Sequence, residues 1–226
     1  MTKFADRILY EDNHLLAVVK PAGLPTMGAA EGEPSLVVLA RQYLKDKYHK
    51  PGNVYLGVVS RLDALVTGVV VFARTSKAAA RLSQQFASGE AVKEYWCLVE
   101  RPPVPPAGHC VDWLVHQDAL RRVLVVSAGT PQAKDARLSY RTLRAARRCT
   151  LLEIQLETGR KHQIRVQLAH RGWAVLGDVR YGAHTSFPEG IALHARRLEF
   201  QHPVRPTRIT FEAPLPASWK SELGDG

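Results

Sequence analysis

The chain has 226 residues, 46% of them hydrophobic and 23% charged, with a net charge of +10 from 31 Lys or Arg against 21 Asp or Glu. That is enough chain for one large domain or two small lobes with a real core, and the composition is that of an ordinary soluble globular protein. Cys97, Cys110 and Cys149 are widely spaced and form no CxxC pair, which excludes a disulfide framework and a cysteine zinc site and fits a reducing compartment.

Ile8–Tyr10 and Leu15–Val19 are apolar runs around the turn-prone Glu11-Asp12-Asn13-His14, a hairpin signal that Lys20-Pro21-Ala22-Gly23 ends. No basic–apolar–small leader precedes it, so a cytoplasmic location is expected. Pro34-Ser35 opens a helix through Tyr48, with Leu36, Leu39, Ala40, Tyr43 and Leu44 on one stripe and Pro51-Gly52 as the stop. From Val54 to Ala73 only Arg61 and Asp63 are charged. Those charges, with Ser60, Thr67 and two glycines, rule out a membrane span. Val69–Ala73 reads as a strand, and Thr75 or Ser76 caps a helix to Ala87, just before Gly89.

Val92–Val99 reads as a strand with Lys93, Tyr95, Cys97 and Val99 on one face and Trp96, assigned to the core, on the other. Arg101–Gly108 carries four prolines and reads as a connection. Short strands follow at Cys110–Val115, Arg122–Ser127, Leu138–Leu143 and Leu151–Glu157. Thr158-Gly159 turns the chain into a helix over about 161–171, closed by Gly172. Leu193–Phe200 and Arg208–Phe211 form a late hairpin around His202-Pro203, and a short helix follows Pro216. Few helices, interspersed without regular alternation among clustered strands, predict an α+β fold with a mostly antiparallel sheet.

Three segments could carry chemistry. An ionised carboxylate in an apolar setting costs several kcal/mol unless it is paired, so Asp63 is either an ion-pair brace, with Arg61 at hand, or a catalytic acid. Arg160-Lys161-His162 stand where a strand turns into a helix N-terminus, which suits a phosphate. On that helix Lys161 and Arg165 are i,i+4, so one flank is expected to pack and another to present cations. Lys93 and Tyr95 share a strand face, and an aromatic beside a cation can stack on a nucleobase, though tyrosine in a strand is more often core or rim. From Arg137 to Arg171 nine Lys or Arg face only Glu153 and Glu157. That basic stretch suits a polyanion, most simply a nucleic acid, or else a solvated face.

These segments together resemble the RluA-type pseudouridine synthases. Val59–Gly68 is similar to the family's His-Arg-Leu-Asp motif and Lys93–Val99 to its Lys-x-Tyr strand. Thr158–Ala169 is similar to its Thr-Gly-Arg-x-His-Gln-Ile-Arg motif, and Gly177-Asp178, Tyr181-Gly182 and Leu193–Pro203 to its later signatures. The resemblance covers roughly Ile8 to Pro216. It implies the pseudouridine synthase fold, with helices flanking a mixed, mostly antiparallel central sheet and an active-site cleft across that sheet. It also implies one catalytic domain over 1–226 with no N-terminal S4-like RNA-binding module, while the proline-rich 101–108 connection is where two lobes would divide.

The implied reaction isomerises uridine to pseudouridine in tRNA or rRNA, with no cofactor and no metal. Asp63 matches the essential aspartate, as nucleophile or as base. Arg165 matches the arginine that pairs with it, and Tyr95 the tyrosine that stacks on the target base. Arg61 matches the arginine that fills the gap left by the flipped uridine. Lys93, Arg160, Lys161 and His162 are the further expected substrate contacts. The chain departs from the usual motifs at Ser60 and Gln167 (usually histidine), at Lys161 (usually threonine) and across Ala64–Gly68. RNA is the expected partner, with no membrane and no obligate protein partner, and the chain reads as a monomer. Two rivals are a non-catalytic RNA-binding or chaperone protein on the same fold and a carboxylate-dependent hydrolase. The second would need two acids at one site.

Overall fold

A computed structural model describes residues 3–29, 32–120, 122–146 and 148–224. In chain order the elements are β1 (Ile8–Glu11), β2 (Leu15–Lys20), α1 (Leu36–Lys47), β3 (Gly57–Val58), β4 (Thr67–Ala73), α2 (Ser76–Ser88), β5 (Val92–Val99), β6 (Ala107–Gln117), β7 (Arg122–Val126), β8 (Lys134–Ala145), β9 (Thr150–Leu156), α3 (Gln163–His170), β10 (Leu193–Gln201), β11 (Arg208–Glu212) and α4 (Ser218–Leu223). The architecture is α+β, and the pairings β1–β2, β2–β4, β3–β4, β5–β9, β6–β7, β6–β8, β8–β9 and β10–β11 are antiparallel. No described helix is long and apolar enough to cross a membrane. The chain divides into two compact units: Met1–Val92 with Ala195–Leu215, and Lys93–His194 with Pro216–Gly226.

In the first unit the strand order is β1-β2-β4-β10, with β11 beside β10 and β3 against the end of β4. All seven residues of β4 are buried. Val69, Val71 and Ala73 pack with Ala78 and Leu82 of α2 and with Phe200 and Phe211, while Val70 and Phe72 pack with Leu36, Val37, Ala40 and Leu44 of α1. A strand covered on both faces has no solvent side on which to place polar residues, so the apolar run needs no alternation. Each large side chain so buried is worth about 1.5–3 kcal/mol. The second helix is bounded as its sequence predicts: the Thr75 hydroxyl accepts from the Ala78 N–H at 3.2 Å, and Gly89 closes it at φ 80°.

In the second unit the order is β5-β9-β8-β6-β7. The eighth strand alternates, with Ala136, Leu138 and Tyr140 buried between exposed Arg137 and Arg141. Its buried face is covered by α3, whose Val166 packs with Leu114, Val123 and Ala136. That helix departs from expectation. It begins at Gln163 rather than Lys161, and its residues Gln163–Leu168 are all buried. No flank of it presents cations: Lys161 precedes it, exposed, and Arg165 lies inside. Trp96, assigned to the core, is instead half-buried, and its indole N–H donates to Glu94 at 3.0 Å.

Gly68 holds a position that no other residue can take. Its φ is +118°, and a Cβ there would stand 2.3 Å from the carbonyl oxygen of Ala195. Gly68→Ala is therefore expected to lose about 3 kcal/mol or more of stability through backbone strain and overpacking together. Urea unfolding followed by far-ultraviolet circular dichroism checks this, and a loss under about 1 kcal/mol would contradict the steric account.

Candidate active site

Asp63 lies in the loop between β3 and β4, half-buried rather than enclosed, with Arg61 exposed two residues before it. A backbone bond from the Val66 N–H to the Asp63 carbonyl, 3.0 Å, closes a tight turn directly after the carboxylate. The loop is held from both sides. On one, the buried Thr26 hydroxyl donates to the Leu62 carbonyl at 2.9 Å and accepts from the Leu62 N–H at 3.1 Å. On the other, the Lys20 ammonium donates to the Ala64 carbonyl at 2.9 Å. The Ser60 hydroxyl accepts from the Val71 N–H at 3.3 Å, tying the start of the loop to β4.

Lys20 is a site residue that reading the sequence misses. It is wholly buried at the end of β2, and its remaining donors reach the carbonyls of Pro21 at 2.8 Å and Leu24 at 2.7 Å. Burial pulls its pKa down to about 7, against the Asp63 carboxylate, which favours the charged form. The available signal was a lone lysine closing an apolar strand immediately before a proline.

The other predicted residues belong to the second unit. Lys93 and Tyr95 are half-buried on β5. Burial, and then the Arg160 guanidinium, lower the Lys93 pKa. Arg160 donates through Nε to the Asp135 carbonyl at 2.9 Å, and Lys161 Nζ lies 2.8 Å from His116 Nε2. His162 takes the left-handed conformation, φ 53°, at the N-terminal boundary of α3. The Gln163 carboxamide secures that turn by accepting from the Thr158 hydroxyl at 2.8 Å and the Arg160 N–H at 2.9 Å.

Arg165 forks the Asp178 carboxylate, Nε to Oδ2 at 2.6 Å and Nη2 to Oδ1 at 2.8 Å, and both side chains are almost fully buried. Its guanidinium also lies 5.0 Å from the centre of the Tyr181 ring, whose hydroxyl accepts from the Val123 N–H and stands 2.8 Å from His162 Nδ1. Tyr181 therefore links His162 to Arg165.

The basic stretch is less basic in space than in sequence. Arg137 pairs with Asp135, Arg141 with Glu153 and Arg171 with Asp112, besides Arg165 with Asp178. Arg144, Arg148, Arg160 and Lys161 are exposed and have no carboxylate partner among the described residues. Arg147 lies outside the described residues. No described cluster of three His, Cys, Asp or Glu could hold a metal ion.

A family model described as RNA pseudouridylate synthase matches residues 14–170, a span that includes Asp63, Tyr95 and Arg165. The chain belongs to the RluA-type pseudouridine synthase family. Members of this family are RNA isomerases. The chain is 34% identical over 220 residues to the ribosomal large subunit pseudouridine synthase D of Zymomonas mobilis, covering 92% of this chain and 69% of that protein. The protein of the same name from Pseudomonas aeruginosa is 35% identical over 228 residues, covering 92% and 68%. An uncharacterized RNA pseudouridine synthase of Bacillus subtilis is 33% identical, covering 95% and 70%. The chain thus spans about two thirds of the length of these relatives. Among solved structures, human RNA pseudouridylate synthase domain containing 4 superposes with a TM-score of 0.80 at 25% identity, covering 97% of this chain and 94% of that one.

Set beside the usual motifs of RluA-type synthases, Gln167 now has a place. It is fully buried, and its amide donates to Asp112 at 2.7 Å and to the Ala136 carbonyl at 3.1 Å, so this departure concerns packing. The Arg165–Asp178 fork sets up a stability test. Removing one partner of a buried pair leaves the other charge uncompensated, so Asp178→Ala is expected to cost about 3–5 kcal/mol. Adding Arg165→Met should recover much of that. Chemical denaturation of both variants measures the difference, and equal destabilisation by the single and double changes would contradict the pairing.

Proposed function

We propose that this protein converts uridine to pseudouridine in large-subunit ribosomal RNA, with Asp63 as the carboxylate that acts on the ribose of the target nucleoside. The observation that carries the reading is the family match over 14–170, which encloses Asp63, Tyr95 and Arg165. The ribosomal substrate is supported by the names of the relatives at 34–35% identity.

Isomerisation needs no co-reactant. The bond from N1 of uracil to C1′ breaks, the base turns within the site, C5 bonds to C1′, and the proton on C5 is lost while N1 gains one. Asp63 attacks C1′ or removes a ribose proton. In either role it must be ionised and its backbone must not drift, and the contacts of Thr26 and Lys20 with its neighbours supply the second condition. Tyr95 stacks on the flipped base and Arg61 meets the RNA where the base has left, while Arg165 stands at the family's motif arginine and is held by the Asp178 fork. Arg144, Arg148, Arg160 and Lys161, exposed and without carboxylate partners among the described residues, supply phosphate contacts, and Lys93 and His162 complete the RNA-binding set.

Asp63→Asn is expected to abolish tritium release from C5-labelled uridine in a ribosomal RNA transcript while leaving the dissociation constant for that RNA within about threefold of wild type. Turnover near the wild-type rate in this variant would remove Asp63 from the reaction. Wild-type protein that binds the transcript and releases no tritium would favour a non-catalytic RNA-binding protein, and release from tRNA alone would move the substrate.

A further inference from the structure

We propose that Leu65, Met27 and Val38 form an apolar platform that stacks an unpaired nucleobase flanking the target uridine. The inference rests on the reading that Asp63 acts on a uridine in RNA, and it adds a base-binding subsite to that reaction.

Leu65 stands at the third position of the turn from Asp63 to Val66 and is 41% exposed. Turn corners favour Gly, Asn, Asp and Ser, which bend or hydrogen-bond locally, so a leucine there gains nothing from the turn itself. It also falls within Ala64–Gly68, where the chain departs from the usual motif.

One exposed leucine would be ordinary. Here three exposed apolar side chains stand on segments joined at one residue, Thr26. Its hydroxyl bonds the Leu62 backbone, and its carbonyl accepts from the Val37 N–H at 3.1 Å. Met27 follows Thr26 and is 45% exposed, and Val38 follows Val37 and is 50% exposed. The loop after β2, the first turn of α1 and the Asp63 turn therefore meet at Thr26. Each sends a large apolar side chain into solvent close to that joint.

Charge indicates what this rim receives. Residues 21–29 and 34–40 carry no charge, and from Val54 to Ala73 only Arg61 and Asp63 are charged. RNA phosphates need cations, and these segments offer Arg61 alone. Nucleobases need none, since every base has a π-face that stacks. With Asp63 at the target ribose, the adjoining nucleotides are one backbone step away and pass over the residues beside the carboxylate. A uridine that leaves its stack leaves the face of a neighbouring base uncovered. Leucine and methionine are among the side chains that lie against unstacked base steps. The platform would cover that face and add affinity without selecting which base supplies it.

The test compares wild type with a Leu65→Ser, Met27→Ser double variant in equilibrium binding to fragments of large-subunit ribosomal RNA. The fragment used is the one in which wild type forms pseudouridine. The dissociation constant should rise about tenfold with the slope of log Kd against log salt unchanged, because stacking is lost and no phosphate contact is. A rise under about threefold, or a shallower slope, overturns the proposal. Removing the nucleobase on one side of the target uridine should cost wild type about tenfold and the variant nothing further, since both changes delete the same contact. Equal losses in the two proteins at both flanking positions overturn it.

If the double variant does not fold, Leu65→Phe decides. An aromatic face at the turn should tighten binding about threefold, and unchanged or weaker binding overturns the proposal. Failure of the isomerase reading looks different: wild type then forms no pseudouridine in any fragment. The serine comparison, made on the fragment bound most tightly, still decides the platform.

Discussion

A strand buried along its whole length has nowhere to put a charge, and β4 is such a strand. Helices pack on both of its faces, so the polar chemistry of this part of the chain must lie at its ends. Arg61 and Asp63 stand in the loop that precedes it. Gly68, at its start, lies against the Ala195 backbone where a side chain would collide. Lys20, paired with Gly68 on the neighbouring strand, carries a buried ammonium that donates to the loop. The strand thus acts as a rigid base, and the Asp63 loop takes its geometry from where that base begins.

The second unit solves a comparable problem with α3. A helix buried on nearly every side is normally apolar all round. This one carries Gln163, Arg165 and Gln167 inside, and each is met by specific partners: a turn and strand backbone, the Asp178 carboxylate, and Asp112 with two carbonyls. Such polar burial destabilises unless it is satisfied, and where it is satisfied it fixes direction as well as position; the Gln167 Oε1, by contrast, has no hydrogen-bond partner among the described residues. The guanidinium of Arg165 is held by a two-point fork and backed by the Tyr181 ring, which leaves it little freedom. Both units therefore orient a residue of the resemblance through buried charge: Lys20 beside the Asp63 loop, and Asp178 at Arg165.

Charge counted along the chain misleads where its partners lie elsewhere. The excess of cations between Arg137 and Arg171 is offset by Asp112, Asp135 and Asp178, none of them inside that stretch. The cations left for a polyanion are a smaller set near the α3 N-terminus and the β8–β9 turn. The departures at Ser60 and Gln167 have structural contacts of their own, a strand backbone in one case and Asp112 in the other.

Much of the fold was legible because its signals are local. Period two marked β5, Thr75 and Gly89 bounded α2, and an unbroken apolar run marked β4. The α+β class followed from the order of such elements. Four motifs in order identified the family, because side chains needed for one reaction recur at set places along the chain. What stayed hidden depends on partners distant in sequence. Whether Arg165 faces solvent or a buried carboxylate turns on Asp178, and helical spacing alone pointed the wrong way. Lys20 looked like the punctuation at the end of a strand. Only the folded chain brings the Ala64 carbonyl to its ammonium, because a hydrogen bond is decided by a few ångströms in space and sequence order does not record that distance.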